Sequence, residues 1–257
     1  MAKPNKKTYI VGNWKMNPSS REDAKTLFTK TNLVASKSKK VTVVACAPYP
    51  FVSLFSTRNK PALKLGAQDI FYEQEGSFTG EVSAKQLVSV GVEYVIIGHS
   101  ERRAMGDTDE IIAKKLRVAL EAGLKVVLCI GENGRDNHGH YLSFVRDQIL
   151  SIFKNISKKY ISNVIVAYEP VWAVGKRYES ALKPTDIHEM SLYIKKILSQ
   201  IYDKDDAMKV PVLYGGSVNF ENAEPILYDG EVSGLLIGRQ SLDIEGLSKI
   251  ISYANKL

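Results

Sequence analysis

The sequence predicts a single α/β domain over residues 1–257, folded as a closed parallel (β/α)8 barrel. Short runs rich in Val and Ile alternate with helical patterns from end to end. Eight such pairs give roughly 32 residues per unit, which suits a βαβ repeat. An open doubly wound sheet is the alternative. It would need a G-x-G-x-x-G turn after the first strand, and Gly12-Asn-Trp-Lys15 is not that turn.

The predicted strands are apolar at consecutive positions, which is typical of strands buried on both faces of a parallel sheet. In chain order they are Tyr9–Trp14, Val41–Ala47, Leu63–Gln68, Tyr94–Gly98, Lys125–Ile130, Val164–Tyr168, Val210–Tyr214 and Leu235–Ile237. The helical patterns between them are clearest at Glu110–Glu121 and Thr185–Tyr202, where apolar residues recur on one face. No linker or change of composition divides the chain, so we predict one domain.

The chain is basic, with 35 Lys+Arg against 28 Asp+Glu and a net charge of +7. A lysine-rich solvated surface explains this charge most simply, and binding to nucleic acid is the alternative. The best support for that alternative is Lys37–Lys40 and Lys158–Lys159. Both runs are short, lack interleaved aromatic residues and lie at predicted helix ends, where cations suit the helix dipole. We therefore expect no nucleic-acid partner.

The two cysteines, Cys46 and Cys129, lie inside predicted strands, so buried reduced thiols are expected rather than a disulfide. The apolar run after the basic N-terminus, Tyr9–Gly12, is too short for a signal peptide. No apolar run approaches the ~18 residues of a membrane span. These features predict a cytoplasmic protein with no membrane partner.

Polar residues and glycines at the carboxyl ends of the predicted strands form the candidate site, because the active sites of such barrels collect at that end. In chain order they are Asn13, Lys15, His99, Ser100, Glu101, Glu169, Gly215, Gly216, Ser217, Gly238 and Arg239. Glu169 ends an apolar strand, and the short apolar loop behind it can fold over a pocket. A carboxylate shielded from water is a stronger base. This combination predicts proton abstraction from carbon.

Two further residues are candidates to act with this carboxylate. Lys15 offers a fixed positive charge for a phosphate or a developing oxyanion, although a structural salt bridge is the alternative. A helical turn starting at Ser100 would disfavour the imidazolium form of His99. The neutral ring could then donate a hydrogen bond to a substrate carbonyl, and a buried core histidine is the alternative. His138 and His140 could bind a metal, but their loop predicts solvent exposure and we predict no metal site.

Two glycine-containing turns predict a phosphate site. Gly215-Gly216-Ser217 and Gly238-Arg239 follow neighbouring strands, and glycines let the backbone approach an anion. We expect N–H groups at helix starts after both turns to point at the phosphate. Barrels of this class often bind phosphate after strands seven and eight.

Four segments resemble the triosephosphate isomerase family in order and spacing, and the resemblance covers the whole chain. The segments are Gly12–Asn17, Ile97–Arg103, Ala167–Gly175 and Leu213–Val218. The resemblance implies interconversion of dihydroxyacetone phosphate and glyceraldehyde 3-phosphate, without a metal or organic cofactor. A glutamate base beside a neutral histidine is the known pattern of that family.

The resemblance also implies residue roles. Glu169 takes a proton from the carbon next to the carbonyl and returns it to the neighbouring carbon, while His99 moves a proton between the two oxygens. Lys15 and Asn13 stabilise the enediolate, and Glu101 holds the surrounding polar network. Backbone N–H groups bind the phosphate at Gly175, Ser217, Gly238 and Arg239.

A lid is implied as well, and its closure keeps the enediolate from losing phosphate to water. Its residues are Pro170, Val171, Trp172, Ala173, Val174, Gly175, Lys176 and Arg177. Val174 and Leu236 resemble an apolar pair that closes over the glutamate.

The family is typically a homodimer. Gly76–Glu81 is similar to the family loop that inserts into the partner subunit, and the resemblance implies that Thr79 approaches Asn13 and Lys15 of that subunit. An ordinary polar loop bounded by glycines is the alternative.

The sequence departs from the family at two places. The lid continues as Gly175-Lys-Arg-Tyr-Glu179, where the family usually has Gly-Thr-Gly-Lys. Hinges need not be small residues, so we expect activity to survive and Arg177→Ala to change KM less than about tenfold. Arg239 replaces a family glycine, and we expect its side chain to point away from the phosphate, into solvent or onto an acidic neighbour.

Two other functions stay open on the residues alone. Another phosphosugar-handling barrel, such as a Schiff-base aldolase, would need a lysine buried in mid-barrel, and Lys15 is a weak candidate for that position. An inactive barrel used as a binding protein fits the net charge. The joint presence of Asn13, Lys15, His99 and Glu169 disfavours it.

Overall fold

The computed structural model describes residues 7–55, 61–174 and 181–257. Its parallel strands close into a barrel in the order β1 to β8, so the predicted fold class is confirmed. The strands are β1 (Thr8–Asn13), β2 (Val41–Cys46), β3 (Lys64–Ala67), β4 (Tyr94–Ile97), β5 (Lys125–Ile130), β6 (Val164–Tyr168), β7 (Val212–Tyr214) and β8 (Gly234–Ile237).

Helices connect the strands. In chain order they are α1 (Arg21–Ser36), α2 (Tyr49–Val52), α3 (Ala84–Ser89), α4 (Ser100–Ala104), α5 (Asp109–Glu121), α6 (His140–Phe153), α7 (Pro184–Ile201), α8 (Lys204–Lys209), α9 (Ala223–Tyr228) and α10 (Ile244–Asn255). Short 3₁₀ helices cover Lys158–Asn163, Val171–Ala173 and Arg239–Leu242.

The observed ends differ from the predicted ones by two residues at most. The largest difference is at β7, which begins at Val212 rather than Val210. Pro211 has no N–H for the ladder, and only its carbonyl takes part, as an acceptor for the Val166 N–H. Helix α5 begins one residue earlier than predicted, because the Thr108 hydroxyl caps the Ile111 N–H.

Apolar side chains fill both the barrel interior and the layer between barrel and helices. Alternate residues of a strand point to opposite layers, so Ile96 lies inside the barrel and Ile97 lies outside it. Cys46 and Cys129 are both free and buried in the interior, as predicted. With its interior filled, the barrel leaves room for a site only at its two ends.

One prediction about the basic runs was wrong. Lys37 follows the last residue of α1, as expected, but Lys158–Lys159 opens a 3₁₀ helix rather than ending a helix. The Lys158 ammonium pairs there with Asp203 and, at 3.0 Å, with Asp206.

Within the part of the chain that the structure describes, no helix is both long and apolar enough to cross a membrane.

Candidate active site

A cavity of about 860 Å³ opens at the carboxyl end of the barrel. Residues that follow β1, β4, β6, β7 and β8 line it, so one pocket brings together side chains that are far apart in sequence. Those predicted from the sequence are Asn13, Lys15, His99, Glu101, Glu169, Val174, Gly215, Gly216, Ser217, Leu236, Gly238 and Arg239.

The Glu169 carboxylate lies at the inner wall of this cavity and is 2% exposed. One oxygen, Oε2, accepts the Ser100 N–H at 3.2 Å, and the other, Oε1, lies 3.4 Å from Nε2 of His99. Its backbone N–H donates to the Ile130 carbonyl at 2.8 Å, which fixes the end of the strand. The carboxylate is thus held beside the imidazole with few competing donors.

Two glycines leave the room that Glu169 occupies. A Cβ at Gly131 would lie 1.8 Å from the Glu169 carbonyl oxygen, and a Cβ at Gly215 would lie 2.8 Å from its Cγ. Both contacts are far too close for any side chain, so neither position accepts a residue other than glycine without movement of the glutamate.

The thiol of Cys129 is a neighbour of Glu169 that the sequence did not identify. Burial, followed by the negative charge of Glu169, raises the pKa of Cys129 well above its usual value. The thiol therefore stays neutral and adds no second negative charge beside the carboxylate.

His99 is fixed in one neutral form by its own backbone neighbours. Its Nδ1 accepts the N–H of Glu101 at 3.2 Å at the start of α4, so Nδ1 carries no proton. The proton is then on Nε2, the nitrogen that faces Glu169 and the cavity. Helix α4 begins at Ser100 as predicted. The arrangement yields a neutral imidazole that can donate a hydrogen bond into the pocket.

Lys15 has a backbone φ of +53°, a left-handed conformation that long side chains rarely adopt and that is common at functional sites. Its N–H donates to Oδ1 of Asn13 at 3.0 Å, and its ammonium donates to Glu101 at 2.7 Å. The structural ion pair considered from the sequence is therefore present. The Glu101 side chain is 56% exposed, so the pair is solvated and the ammonium stays available to an anion in the cavity.

Gln68 holds the Lys15 turn, a role that was missed from the sequence. Its side-chain amide donates to the carbonyls of Lys15 and Cys46, both at 2.9 Å. One amide thus ties the strained turn to the end of the neighbouring strand. Gln68 stands at the end of a predicted strand, which is the signal that could have drawn attention to it.

The two glycine turns lie on the same wall of the cavity. Gly238 precedes the 3₁₀ helix at Arg239, and a Cβ at Gly238 would lie 3.3 Å from Cε of Lys15. The prediction of a helix start after Gly215–Ser217 was wrong, since the next helix begins at Ala223. That turn is instead held by the Ser217 hydroxyl, which donates to the Ala173 carbonyl at 2.8 Å.

The described part of the lid is anchored by a buried carboxylate, Glu132, which follows β5. The Tyr168 hydroxyl donates to both its oxygens at 2.8 and 3.0 Å, the Trp172 indole donates to it at 3.2 Å, and Arg135 donates at 3.1 Å. Burial, followed by the charge of Glu132, raises the pKa of Tyr168, so its hydroxyl remains a donor. This network fixes the first half of the lid.

The chain is described again from residue 181, beyond the predicted lid. The N–H of Leu182 donates to the hydroxyl of Tyr214 at 3.2 Å. The predicted lid residues Gly175, Lys176 and Arg177, with the altered segment up to Glu179, lie outside the described residues.

Among the residues that the structure describes, no group of three or more His, Cys, Asp or Glu side chains is arranged to hold a metal ion. His138 and His140 are exposed, and Nδ1 of His140 lies 2.7 Å from Asp136.

A family model described as triosephosphate isomerase matches residues 8–254. The chain is 38% identical to a triosephosphate isomerase of Natranaerobius thermophilus, over 97% of both chains. It is 40% identical to one of Finegoldia magna, over 96% of this chain and 99% of the relative. It is 37% identical to one of Aquifex aeolicus, over 94% and 97%.

Proposed function

The chain belongs to the triosephosphate isomerase family, and we propose that it interconverts dihydroxyacetone phosphate and glyceraldehyde 3-phosphate with Glu169 as the base. The observation that carries this assignment of roles is the distance of 3.4 Å between the Glu169 carboxylate and the protonated Nε2 of His99. A base and a neutral hydrogen-bond donor then face the same space, where a carbonyl and its neighbouring carbon can lie.

The reaction needs two proton movements at carbon and two at oxygen. Glu169 removes a proton from the carbon next to the carbonyl, and Nε2–H of His99 stabilises the oxygen that becomes negative. The enediolate then takes the proton back at the neighbouring carbon, while His99 moves a proton between the two oxygens. Atoms and charges balance without any other reactant.

Lys15 and Asn13 supply the electrostatic part of the proposal. The ammonium of Lys15 is positive throughout the reaction, so it stabilises negative charge as it develops on oxygen. Oδ1 of Asn13 is already used by the Lys15 N–H, which leaves the amide of Asn13 to donate. Glu101 holds the ammonium in the absence of substrate.

The phosphate site is proposed at the backbone of Ser217, Gly238 and Arg239, with the N–H of Gly175 added by the lid. What supports it is the closeness of Gly238 to the Lys15 side chain, because the ammonium adds charge to a set of backbone donors. Trp172 and Val174 are lid residues of the proposal, and Val174 and Leu236 both line the cavity.

A coupled assay for glyceraldehyde 3-phosphate formation tests this proposal. Turnover by the unmodified protein and its loss in Glu169→Gln are the expected results. Borohydride in the presence of substrate should trap no adduct, since Lys15 lies at a strand end in an ion pair rather than in mid-barrel. Covalent trapping at Lys15, or an inactive protein that binds the triose phosphate, would contradict the proposal.

We propose, in addition, that the protein is a homodimer. Apolar side chains are exposed on four segments, with Met16 93% and Met105 76% exposed, and with Tyr49 and Phe78 also exposed. Exposed apolar patches of this kind mark interaction surfaces. Thr79 is exposed at the tip of the Gly76–Glu81 loop, where it is free to enter a partner subunit.

These four segments meet around the end of β3. The Gln68 amide holds the loop of Met16, the Tyr49 hydroxyl donates to the Asp69 carbonyl at 2.6 Å, and Arg102 of α4 pairs with Asp69 at 3.0 Å. The ring of Phe78 packs on Phe71 at 4.7 Å. The apolar groups therefore belong to one face, next to Lys15.

Sedimentation and activity measured over a range of dilutions test the dimer. Phe78→Lys should dissociate it and lower activity, while Phe144→Lys changes a ring with nearly the same exposure on α6 and should do neither. Sedimentation of the unmodified protein as a monomer would contradict the proposal.

We also propose a cytoplasmic location. Cys46 and Cys129 are free and buried, which fits a reducing compartment. Recovery of the protein from an oxidising compartment in cell fractionation would contradict this location.

A further inference from the structure

A second cavity, of about 260 Å³, lies at the opposite end of the barrel from the isomerase site. It is formed where β1, β7 and β8 begin and where the 3₁₀ helix before β6 ends. Its apolar part consists of Ile161, Val210 and Pro211. No residue of the proposed reaction reaches this end, so the cavity requires a separate explanation.

Lysines stand at the edge of this cavity. Lys7 lies 5.8 Å from the ring of Tyr9, and no acidic residue in the described part of the chain pairs with it. Lys209 is on the other side, at the end of α8. The Tyr9 hydroxyl adds a further donor, because burial raises the pKa of Tyr9 and keeps its proton in place.

The one acidic residue that lines the cavity, Asp206, is already paired. Its carboxylate accepts Lys158 at 3.0 Å and lies 4.0 Å from Lys209. Lys158 does not line the cavity and also pairs with Asp203, so the charged groups of the lining are Lys7 and Lys209 against Asp206, and the balance is positive by one charge. A cation is therefore disfavoured as an occupant, and an anion is favoured.

Ser233 points to a ligand independently of the lysines. It is 3% exposed, lines the cavity, and makes no hydrogen bond through its hydroxyl to any of the described residues. Its backbone is fully used, since its N–H donates to the Val212 carbonyl at 2.7 Å and its carbonyl accepts the Tyr9 N–H at 2.9 Å. The Ser233 hydroxyl is therefore an unused donor at the cavity wall.

We propose that this cavity binds a small phosphorylated anion, held by Lys7, Lys209 and the hydroxyls of Ser233, Ser162 and Tyr9. A phosphate group offers several acceptor oxygens and at least one negative charge, which matches the lysines and hydroxyl groups of the lining. The apolar part of the cavity leaves space for a small organic group beside the phosphate. The site is distinct from the isomerase pocket and does not depend on its activity.

Inorganic phosphate is the probe for a test by nuclear magnetic resonance. It is titrated at constant ionic strength, with chloride as the reference anion, and backbone amide signals are followed at both ends of the barrel. Phosphate should also enter the proposed isomerase pocket, so the amides of Ser217 and Gly238 report that site. The amides of Ser162 and Ser233 report the second cavity. The expected result is two sets of shifts with two different binding curves.

Variants test whether the second binding curve belongs to the second cavity. Lys7→Gln with Lys209→Gln should weaken binding at Ser162 and Ser233 by at least about tenfold, because two charge-assisted contacts are lost. Ser233→Ala should weaken it about threefold while leaving the fold intact. Lys25→Gln with Lys30→Gln removes the same charge from α1 and should change nothing at the cavity. Isomerase activity should be unaffected in all of these variants, which confirms that they are folded.

Three results would overturn the proposal. The first is a response to phosphate at Ser217 and Gly238 only. The second is an equal response to chloride at the second cavity. The third is binding that persists in the Lys7 and Lys209 variant, or that falls equally in the Lys25 and Lys30 control.

Discussion

Two glutamates lie buried at the carboxyl ends of adjacent strands, yet their surroundings differ. Glu132, after β5, is 1% exposed and accepts hydrogen bonds from Tyr168, Trp172 and Arg135. Glu169, after β6, is 2% exposed and accepts one backbone N–H, with the neutral ring of His99 and the thiol of Cys129 nearby. The two carboxylates are therefore almost equally buried, but they accept hydrogen bonds from different numbers of donors.

Burial alone therefore does not make a carboxylate a catalytic base. Several donors, one of them a guanidinium, occupy the carboxylate oxygens of Glu132 and fix its position. Glu169 has free lone pairs that face the cavity. The first region is built to hold the lid, and the second is built to exchange a proton.

Replacing each glutamate by glutamine tests this comparison most directly. Glu169→Gln removes the proposed base, so kcat should fall on the order of 10³-fold. Glu132→Gln keeps the lid side chains near their positions, so kcat should fall less than about tenfold. The measurement is the coupled isomerase assay on both variants at equal concentration.

Stability should respond in the opposite order. Glu132→Gln turns a carboxylate oxygen into a donor that faces the donors of Tyr168 and Trp172, which costs about 1–3 kcal/mol of unfolding free energy. Glu169→Gln loses little, because only the Ser100 N–H depends on the carboxylate. Urea unfolding measures both values. Equal loss of turnover in the two variants would mean that the number of donors is not what separates the two sites.

The sequence was sufficient for the barrel and for most residues of the pocket, because both depend on local patterns. Consecutive Val and Ile residues mark the strands, and polar residues at strand ends meet by the geometry of the barrel. The donors around Glu132 and the role of Gln68 were missed because they depend on contacts between distant residues. Gln68 and Lys15 are 53 positions apart, and Tyr168 and Glu132 are 36 apart. The left-handed turn at Lys15 has no local signal, since neither glycine nor asparagine stands there.

Substitution of Lys15 is expected to lower the reaction rate, as substitution of Glu169 does, rather than the stability, as substitution of Glu132 does. Its ammonium has a single solvated partner, Glu101, and can turn to a substrate oxygen. Lys15→Met should therefore lower kcat/KM by about 10²- to 10³-fold with a small change in stability. Glu101→Gln is the control, because it removes the partner and keeps the cation. A loss in Glu101→Gln as large as that in Lys15→Met would show that the ion pair matters rather than the charge.

Gln68 is expected to act as a positioning residue, like Glu132, because its side-chain amide donates to two backbone carbonyls. Gln68→Ala leaves the carbonyls of Lys15 and Cys46 without that amide and should lower kcat about tenfold. Tyr49→Phe is the control, because it removes a hydrogen bond to the adjacent Asp69 without touching the Lys15 turn. The fall should appear in kcat more than in KM. A purely structural role predicts equal thermal destabilisation in both variants and no specific loss of kcat.

Trp172 connects the lid to the buried carboxylate of Glu132 through one hydrogen bond of 3.2 Å. Trp172→Phe keeps an aromatic ring and removes that bond, so the first half of the lid should open more readily. We expect a change of about two- to fivefold in kcat, since lid motion contributes to turnover. Steady-state assays at several solvent viscosities measure the effect. If neither kcat nor its viscosity dependence changes, the hydrogen bond to Glu132 does not control the motion of the lid.

Arg239 should have the smallest effect, because its backbone rather than its side chain is proposed to bind phosphate. The side chain is exposed, and no acidic residue within the described ranges pairs with it, so its charge acts on the substrate through solvent. Arg239→Gly should raise KM about two- to threefold at low salt and leave kcat unchanged. The difference should vanish at high ionic strength, where exposed charges are screened. A rise in KM beyond about tenfold that persists at high salt would mean that the guanidinium contacts the phosphate directly, as the ammonium of Lys15 is proposed to do.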